Sequence, residues 1–268
     1  MTFPAGALWM IGCGNMGGAM LRRWLAAGLD PATVTVVTRS ERGVPDGVRS
    51  LTALPDEAAP ATLILAMKPQ QIGDVAAMLA RLHGVPHLLV SILAGVDTAT
   101  LARRFRAEAV VRAMPNLPVA IGEGVTALFT GAAQADRVRG DAEALAAPLG
   151  HYEWIADEAA FDAVTALAGC GPGFVFRFAD ALAAAGAALG LPADQAARLA
   201  LATLQGAAIM AAAADVSPAV LADRVASPGG STREGLNVLD RDDALVTLLT
   251  QTLAASARRN GEMAAAAR

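Results

Sequence analysis

The spacing of glycines near the N-terminus constrains this chain more than any other feature. An apolar run, Leu8–Ile11, stops at Gly12, and residues 8–18 read LWMIGCGNMGG. Gly12, Gly14 and Gly17 fall in the G-x-G-x-x-G pattern, after a strand-like run and before helix-like residues 19–27, which end at Gly28. Each glycine has its own task in such a strand–loop–helix unit. The first permits a tight turn, the second lets backbone approach a pyrophosphate, and the third allows helix and strand to pack closely. A helix opening there also offers unpaired N–H groups and the positive end of its dipole to phosphate. The segment predicts a dinucleotide site with Gly12, Gly14, Asn15, Met16 and Gly17 in contact with the ligand.

The following residues extend the pattern. Residues 34–38, 62–67, 87–93, 110–114 and 124–129 are short runs rich in β-branched and aliphatic side chains, with a helical segment at 72–82. Near-continuous apolar strands alternating with helices predict a parallel sheet of about six to eight strands, covered on both faces. After about Glu153 the pattern changes. Residues 160–189, 193–214 and 242–267 read as helices, broken at Gly190-Leu-Pro192 and at Ser227-Pro-Gly-Gly230. Alanine occupies several faces of these helices rather than one stripe, so they are apolar nearly all round. Such helices would leave apolar surface uncovered in a single copy, which predicts a homodimer or higher homo-oligomer formed through this region. The fold class expected is α/β, a Rossmann-type dinucleotide-binding domain over 1–156 and an all-helical dimerisation and substrate domain over 157–268.

The end of the second strand separates the two common cofactors. An NAD site usually carries an acid there for the ribose 2′-hydroxyl, whereas this chain has Thr38-Arg39-Ser40. Arg39 can grip a 2′-phosphate through its planar fork, with Ser40 donating a hydroxyl. NADP(H) is therefore expected, with NAD(H) possible at lower affinity.

Composition excludes several classes. Over 268 residues the hydrophobic fraction is 54% and the net charge −4, and no basic run is long enough for a nucleic-acid footprint. Cys13 and Cys170 form no disulfide framework or thiolate metal site, and His83 and His87 are separated by Gly84 and Pro86, which disfavours a helical ligand pair. No metal is expected. The N-terminal residues lack a basic then apolar leader pattern, and the apolar stretch at 179–190 is shorter than the about 20 residues a bilayer span requires. A cytoplasmic setting without membrane contact is expected.

Five further segments lie at strand ends or helix breaks: AMKPQ at 66–70, SILAG at 91–95, MPNLP at 114–118, GCGPG at 169–173 and SPGGST at 227–232. In this order and at these intervals they resemble the pyrroline-5-carboxylate reductase family over essentially the whole chain. The most specific element is SPGGST with Glu234-Gly-Leu236, which is similar to the family's substrate loop. The resemblance implies hydride transfer from NADPH to the C=N carbon of 1-pyrroline-5-carboxylate, giving L-proline. It also implies a helical domain through which subunits interlock. Thr232 matches the family's threonine that hydrogen-bonds the ring nitrogen, and Gly229, Gly230 and Ser231 precede or open a helix whose N–H groups can receive a carboxylate.

Several assignments stay open at this point. Ser231 and Thr232 are also natural helix N-caps. Met67, Lys68 and Pro69, together with Ala94 and Gly95, fall where strand ends would meet cofactor. The Lys68 side chain is either a cofactor contact or an exposed lysine beside a turn. Asn116 is either a polar contact on the nicotinamide side or a turn residue. Cys170, Gly173, Leu117 and Arg233 depart from the family's usual residues, Arg233 replacing a typically apolar one. The competing functions are reduction of another cyclic imine, a related β-hydroxyacid-type reaction, and a non-catalytic NADP-binding role. The hydroxyacid enzymes would carry a lysine in the helical half, and Lys68 is the chain's only lysine.

Overall fold

A computed structural model describes residues 2–39, 43–131 and 136–267. It divides into two compact units, Met1–Cys170 with Ser256–Arg268, and Gly171–Ala255.

The first unit is built on one eight-stranded sheet. Its strands are β1 (Leu8–Ile11), β2 (Val34–Val37), β3 (Arg49–Leu51), β4 (Thr62–Leu65), β5 (Leu88–Ser91), β6 (Ala109–Pro115), β7 (Gly124–Thr130) and β8 (Gly150–Trp154). The helices between them are α1 (Asn15–Ala26), α2 (Ile72–Leu79), α3 (Thr98–Arg104) and α4 (Asp136–Ala146), followed by a single turn, α5 (Phe161–Val164). The strand order is β3-β2-β1-β4-β5-β6-β7-β8. From β1 the chain first moves outward through β2 and β3, then returns to β4 on the other side. That reversal opens a crevice at the carboxyl end of β1, the place where open α/β sheets bind ligands.

The central strands read as unbroken apolar runs because both faces are covered. Leu8 and Met10 pack with Trp24 and Leu145, whereas Trp9 and Ile11 pack with Leu79 and Leu101. Burying each such side chain contributes about 1.5–3 kcal/mol. Trp24 fills the first of these layers and donates from Nε1 to the Leu145 carbonyl at 2.7 Å, tying α1 to α4.

One pairing departs from the parallel sheet expected. Strands β6 and β7 run antiparallel, and every other neighbouring pair is parallel. The connection between them is a short 3-10 segment, Leu117–Ile121, closed by Gly122 at φ 77°. A parallel return needs a crossover of a dozen or more residues, which this segment cannot supply.

The long helix read over 160–189 is also interrupted. Phe161–Val164 gives way to a π-helical turn, Thr165–Gly169, in which the Cys170 N–H reaches back to the Thr165 carbonyl at 2.8 Å.

The second unit holds α6 (Gly171–Ala188), α7 (Ala193–Ala212), α8 (Pro218–Arg224) and α9 (Ser231–Asp240); α10 (Ala244–Ala267) starts here and ends in the first unit. Helices α6 and α7 pack together around Gly186, where a Cβ would meet Ala196 Cβ at 3.4 Å. Pro218 opens α8 behind Ser217, whose hydroxyl accepts from the Val220 N–H. The last helix begins two residues later than the sequence pattern implies, because Asp242 and Asp243 adopt φ of 52° and 54°. Short polar side chains are among the few that enter this left-handed region readily.

The helices of this unit leave much apolar surface uncovered. No residue of α6 is buried, and only Ala196 and Ala200 of α7 are. Val175, Phe176, Leu201, Ile209 and Val246 are each more than half exposed. The helical stretch Glu158–Ala188, at 31 residues, is longer than the run at 179–190 and meets the length and apolarity of a membrane span.

Candidate active site

The crevice over β1 forms a cleft of ≈ 900 Å³ lined by residues from five loops of the first unit. Its floor is the glycine loop. Gly12 has φ 88°, and a Cβ there would lie 2.9 Å from the Ala66 carbonyl oxygen, so no other residue fits. A Cβ on Gly17 would lie 2.9 Å from Ala66 Cβ, which is the close helix–strand approach that the third glycine of the pattern serves. Gly14 differs: a Cβ there would meet no atom within 4 Å, so the loop leaves open room above it. No side chain caps α1 at Gly14, which leaves its first-turn N–H groups for an anion. These features fit a pyrophosphate.

Gly12, Gly14, Asn15, Met16, Gly17, Arg39, Met67, Lys68, Pro69 and Ala94 all line this cleft. Ser40 lies outside the described residues. Lys68 is exposed, and its backbone N–H donates to the Gln71 side-chain oxygen at 3.3 Å, fixing the turn that leads into α2. Arg39 faces Asp74 across the cleft, Nη2 to Oδ2 3.7 Å. Cys13, within the loop, is buried and offers its Sγ to the Gly43 carbonyl at 3.5 Å. Burial pushes its thiol pKa up, with nearby Arg22 acting in the opposite direction.

Two expected contacts lie elsewhere. Gly95 borders a separate cavity of ≈ 240 Å³ with Arg112, Glu158 and Phe161. There the Glu158 carboxylate accepts from the Thr98 N–H at 2.9 Å, the Thr98 hydroxyl at 2.7 Å and Arg112 Nη1 at 3.0 Å. The Arg112 guanidinium also sits 4.1 Å from the Phe161 ring centre. This cluster ties the loop after β5 to β6 and to the turn before α5.

Asn116 is the second, and it corrects the expectation of an amide offered to the cleft. Its side chain is buried, Nδ2 donates to the Ala168 carbonyl at 3.0 Å, and Oδ1 accepts from the Val125 N–H at 2.8 Å. The reason lies in the GCGPG segment. The α-helical partner of the Ala168 carbonyl would be the N–H of residue 172, and Pro172 has none. Asn116 satisfies that carbonyl instead, so one side chain ties the MPN segment to the π-helical turn that leads into GCGPG. The cleft is lined at this end by Met114 and Pro115.

Thr52, Gln71, Asp74 and Met78 line the cleft without having been singled out in the sequence. Asp74 was findable, since it falls in the first turn of the helix after AMKPQ. Thr52 follows β3, a three-residue strand too short and polar to announce itself.

The SPGGST segment lies in the second unit. Gly229 adopts φ 71° and Gly230 is the N-cap of α9, with no side chain capping it. Ser231 and Thr232 are thus the first two helical residues and do not serve as the cap, and both are exposed. The Gly230 N–H returns to the Ser227 carbonyl at 2.9 Å, which closes the loop. Arg233, the residue at odds with the family pattern, pairs through Nη2 with Asp223 Oδ1 of α8 at 2.7 Å. It braces the base of the loop within this unit. Among the described residues no group of histidine, cysteine or acidic side chains could hold a metal ion.

Comparison with known proteins joins the two halves. Residues 158–263 match the family described as pyrroline-5-carboxylate reductase dimerisation, and residues 8–95 match the family described as NADP oxidoreductase coenzyme F420-dependent. A pyrroline-5-carboxylate reductase of Thermus thermophilus is 37% identical, covering 94% of this chain and 97% of its own. A solved pyrroline-5-carboxylate reductase from Coxiella burnetii superposes with a TM-score of 0.85 at 28% identity, covering 97% of this chain and 98% of that one. A Plasmodium falciparum pyrroline carboxylate reductase solved with NADP bound shares the fold, with a TM-score of 0.81 at 22% identity over 98% of this chain and all of that one. The chain belongs to the pyrroline-5-carboxylate reductase family.

Proposed function

We propose that this chain catalyses the NADPH-dependent reduction of 1-pyrroline-5-carboxylate to L-proline, the last step of proline biosynthesis. The observation that carries the reading is the presence in one chain of both parts such a reaction needs. One is a cofactor cleft whose glycine loop is closed against Ala66, and the other is an uncapped SPGGST helix N-terminus.

In the cofactor half, the backbone of Gly12–Gly17 and the first turn of α1 bind the pyrophosphate. Arg39 holds the 2′-phosphate together with Ser40, and Met67, Lys68, Pro69 and Ala94 border the nicotinamide side. Asn116 contributes by fixing the end of β6 rather than through a free amide. NADPH, when bound, supplies the hydride for the C=N carbon.

In the substrate half, the N–H groups of Gly229, Ser231 and Thr232 receive the carboxylate, while the Gly230 N–H, turned to the Ser227 carbonyl, holds the loop that presents them. The Thr232 hydroxyl hydrogen-bonds the ring nitrogen and orients the imine. The protonated imine is already electrophilic, so the residues act by positioning and no strong general base is required. Once the carbon is reduced, the ring nitrogen keeps its proton and the product is a secondary amine.

The functional boundary is placed at 156/157, and the match of 158–263 to a dimerisation family supports it. The same match favours a second copy of this chain, rather than a lipid bilayer, as the cover for the apolar faces of α6, α7 and α10. A homodimer or higher homo-oligomer in the cytoplasm is the assembly proposed. Steady-state kinetics with pyrroline-5-carboxylate tests the site assignment. Thr232→Ala should lower kcat/KM about 10–100-fold, as expected for loss of a hydrogen bond to a charged group. Unchanged kinetics would remove Thr232 from the site. No turnover of this imine while others are reduced would reject the substrate.

A further inference from the structure

We infer that Asp74 tempers the cofactor preference of the cleft, acting as the counter-ion with which a 2′-phosphate must compete for Arg39. The inference rests on the reading of Arg39 given above. Arg39 stands two residues beyond β2, and Asp74 lies in the first turn of α2, which follows β4. Strands β2 and β4 flank β1 on opposite sides, so the two side chains reach toward each other from the two walls of the groove. Their charged atoms are 3.7 Å apart, and both residues line the cleft.

The pair has little claim to a structural role. Its side chains are 79% and 81% exposed, and an exposed ion pair at this distance adds little to stability. Its position gives it another consequence. A phosphate gripped by Arg39 would approach the Asp74 carboxylate closely, and the two anions repel. A ribose hydroxyl in the same place carries no charge and meets no such penalty. Asp74 thus narrows the gap between NADPH and NADH that Arg39 alone would open. Because the site is open to water, the effect is a modest factor that salt screens.

Asp74 also suits the N-terminus of α2 through the helix dipole. A role limited to that would change stability and would affect both cofactors alike. The test is the ratio of kcat/KM for NADPH to that for NADH, measured for Asp74→Asn and Asp74→Ser at low and high ionic strength, beside Arg39→Ala. Both Asp74 variants should raise the ratio about 2–5-fold at low salt, with the gain shrinking at about 0.5 M salt. An unchanged or lowered ratio overturns the inference, as does a gain insensitive to salt. Arg39→Ala separates the two failures. If it leaves the ratio unmoved, the reading of Arg39 itself fails. If it collapses the ratio while the Asp74 variants do not move it, only the role of Asp74 fails.

Discussion

The two units of this chain solve the problem of burial differently. In the first, every residue of β1, β2, β4, β5 and β6 is buried, and helices of the same chain supply the cover. Among its described residues only Val85, Leu117, Ile121 and Leu167 are large apolar side chains left exposed. In the second, no residue of α6 is fully buried, and Phe176 and Phe178 of that helix are 59% and 47% exposed. The sheet unit completes its own core. The helical unit leaves its apolar faces uncovered within one copy, and it is also where the SPGGST loop resides.

Charging the uncovered face of the helical unit carries the largest expected effect. Phe176→Asp should abolish self-association, seen by sedimentation as a monomer where the parent is an oligomer, and activity should fall with it. Burying an unpaired carboxylate in such an interface costs far more than removing the ring. A variant that still assembles would place the interface elsewhere. The counterpart in the sheet is Leu89→Ala. Leu89 is fully buried between β4 and β6, and truncation should cost about 2–5 kcal/mol in denaturant unfolding. Any part of that loss that varies with protein concentration would mean that the sheet unit, too, depends on its partner. The smallest expected effects are those at the cleft mouth, where Asp74 and Arg39 are both in water.

The same contrast explains what the sequence made legible. Strands β1, β2, β4 and β5 are visible as apolar runs because burial on both faces removes any polar alternation. The glycine loop is visible because steric need admits only glycine at Gly12, and the room at Gly14 is set by backbone alone. Strand β3 (Arg49–Leu51) is only partly buried and carries no such signature. The antiparallel turn between β6 and β7 is a matter of connection length, which strand composition does not encode. Asn116 shows the limit most clearly. Its residue type fits a ligand contact, a turn or a staple, and the choice depends on Pro172 lacking an N–H, 56 positions away in the chain. Arg233 is similar: its partner Asp223 lies ten residues back, and the turn that brings them together is built by Pro228 and Gly229. The role of Ser231 and Thr232 as helix starts rather than caps likewise follows from Gly230 taking the cap.

The proposed reaction moves a hydride from NADPH to the C=N carbon of pyrroline-5-carboxylate. Its most direct test is product analysis by NMR after turnover with NADPH deuterated at the transferring position. Proline carrying one deuterium at Cδ, the former imine carbon, and none at Cα is the expected product. Proline without deuterium at Cδ, or no proline while NADPH is consumed on another imine, would contradict it.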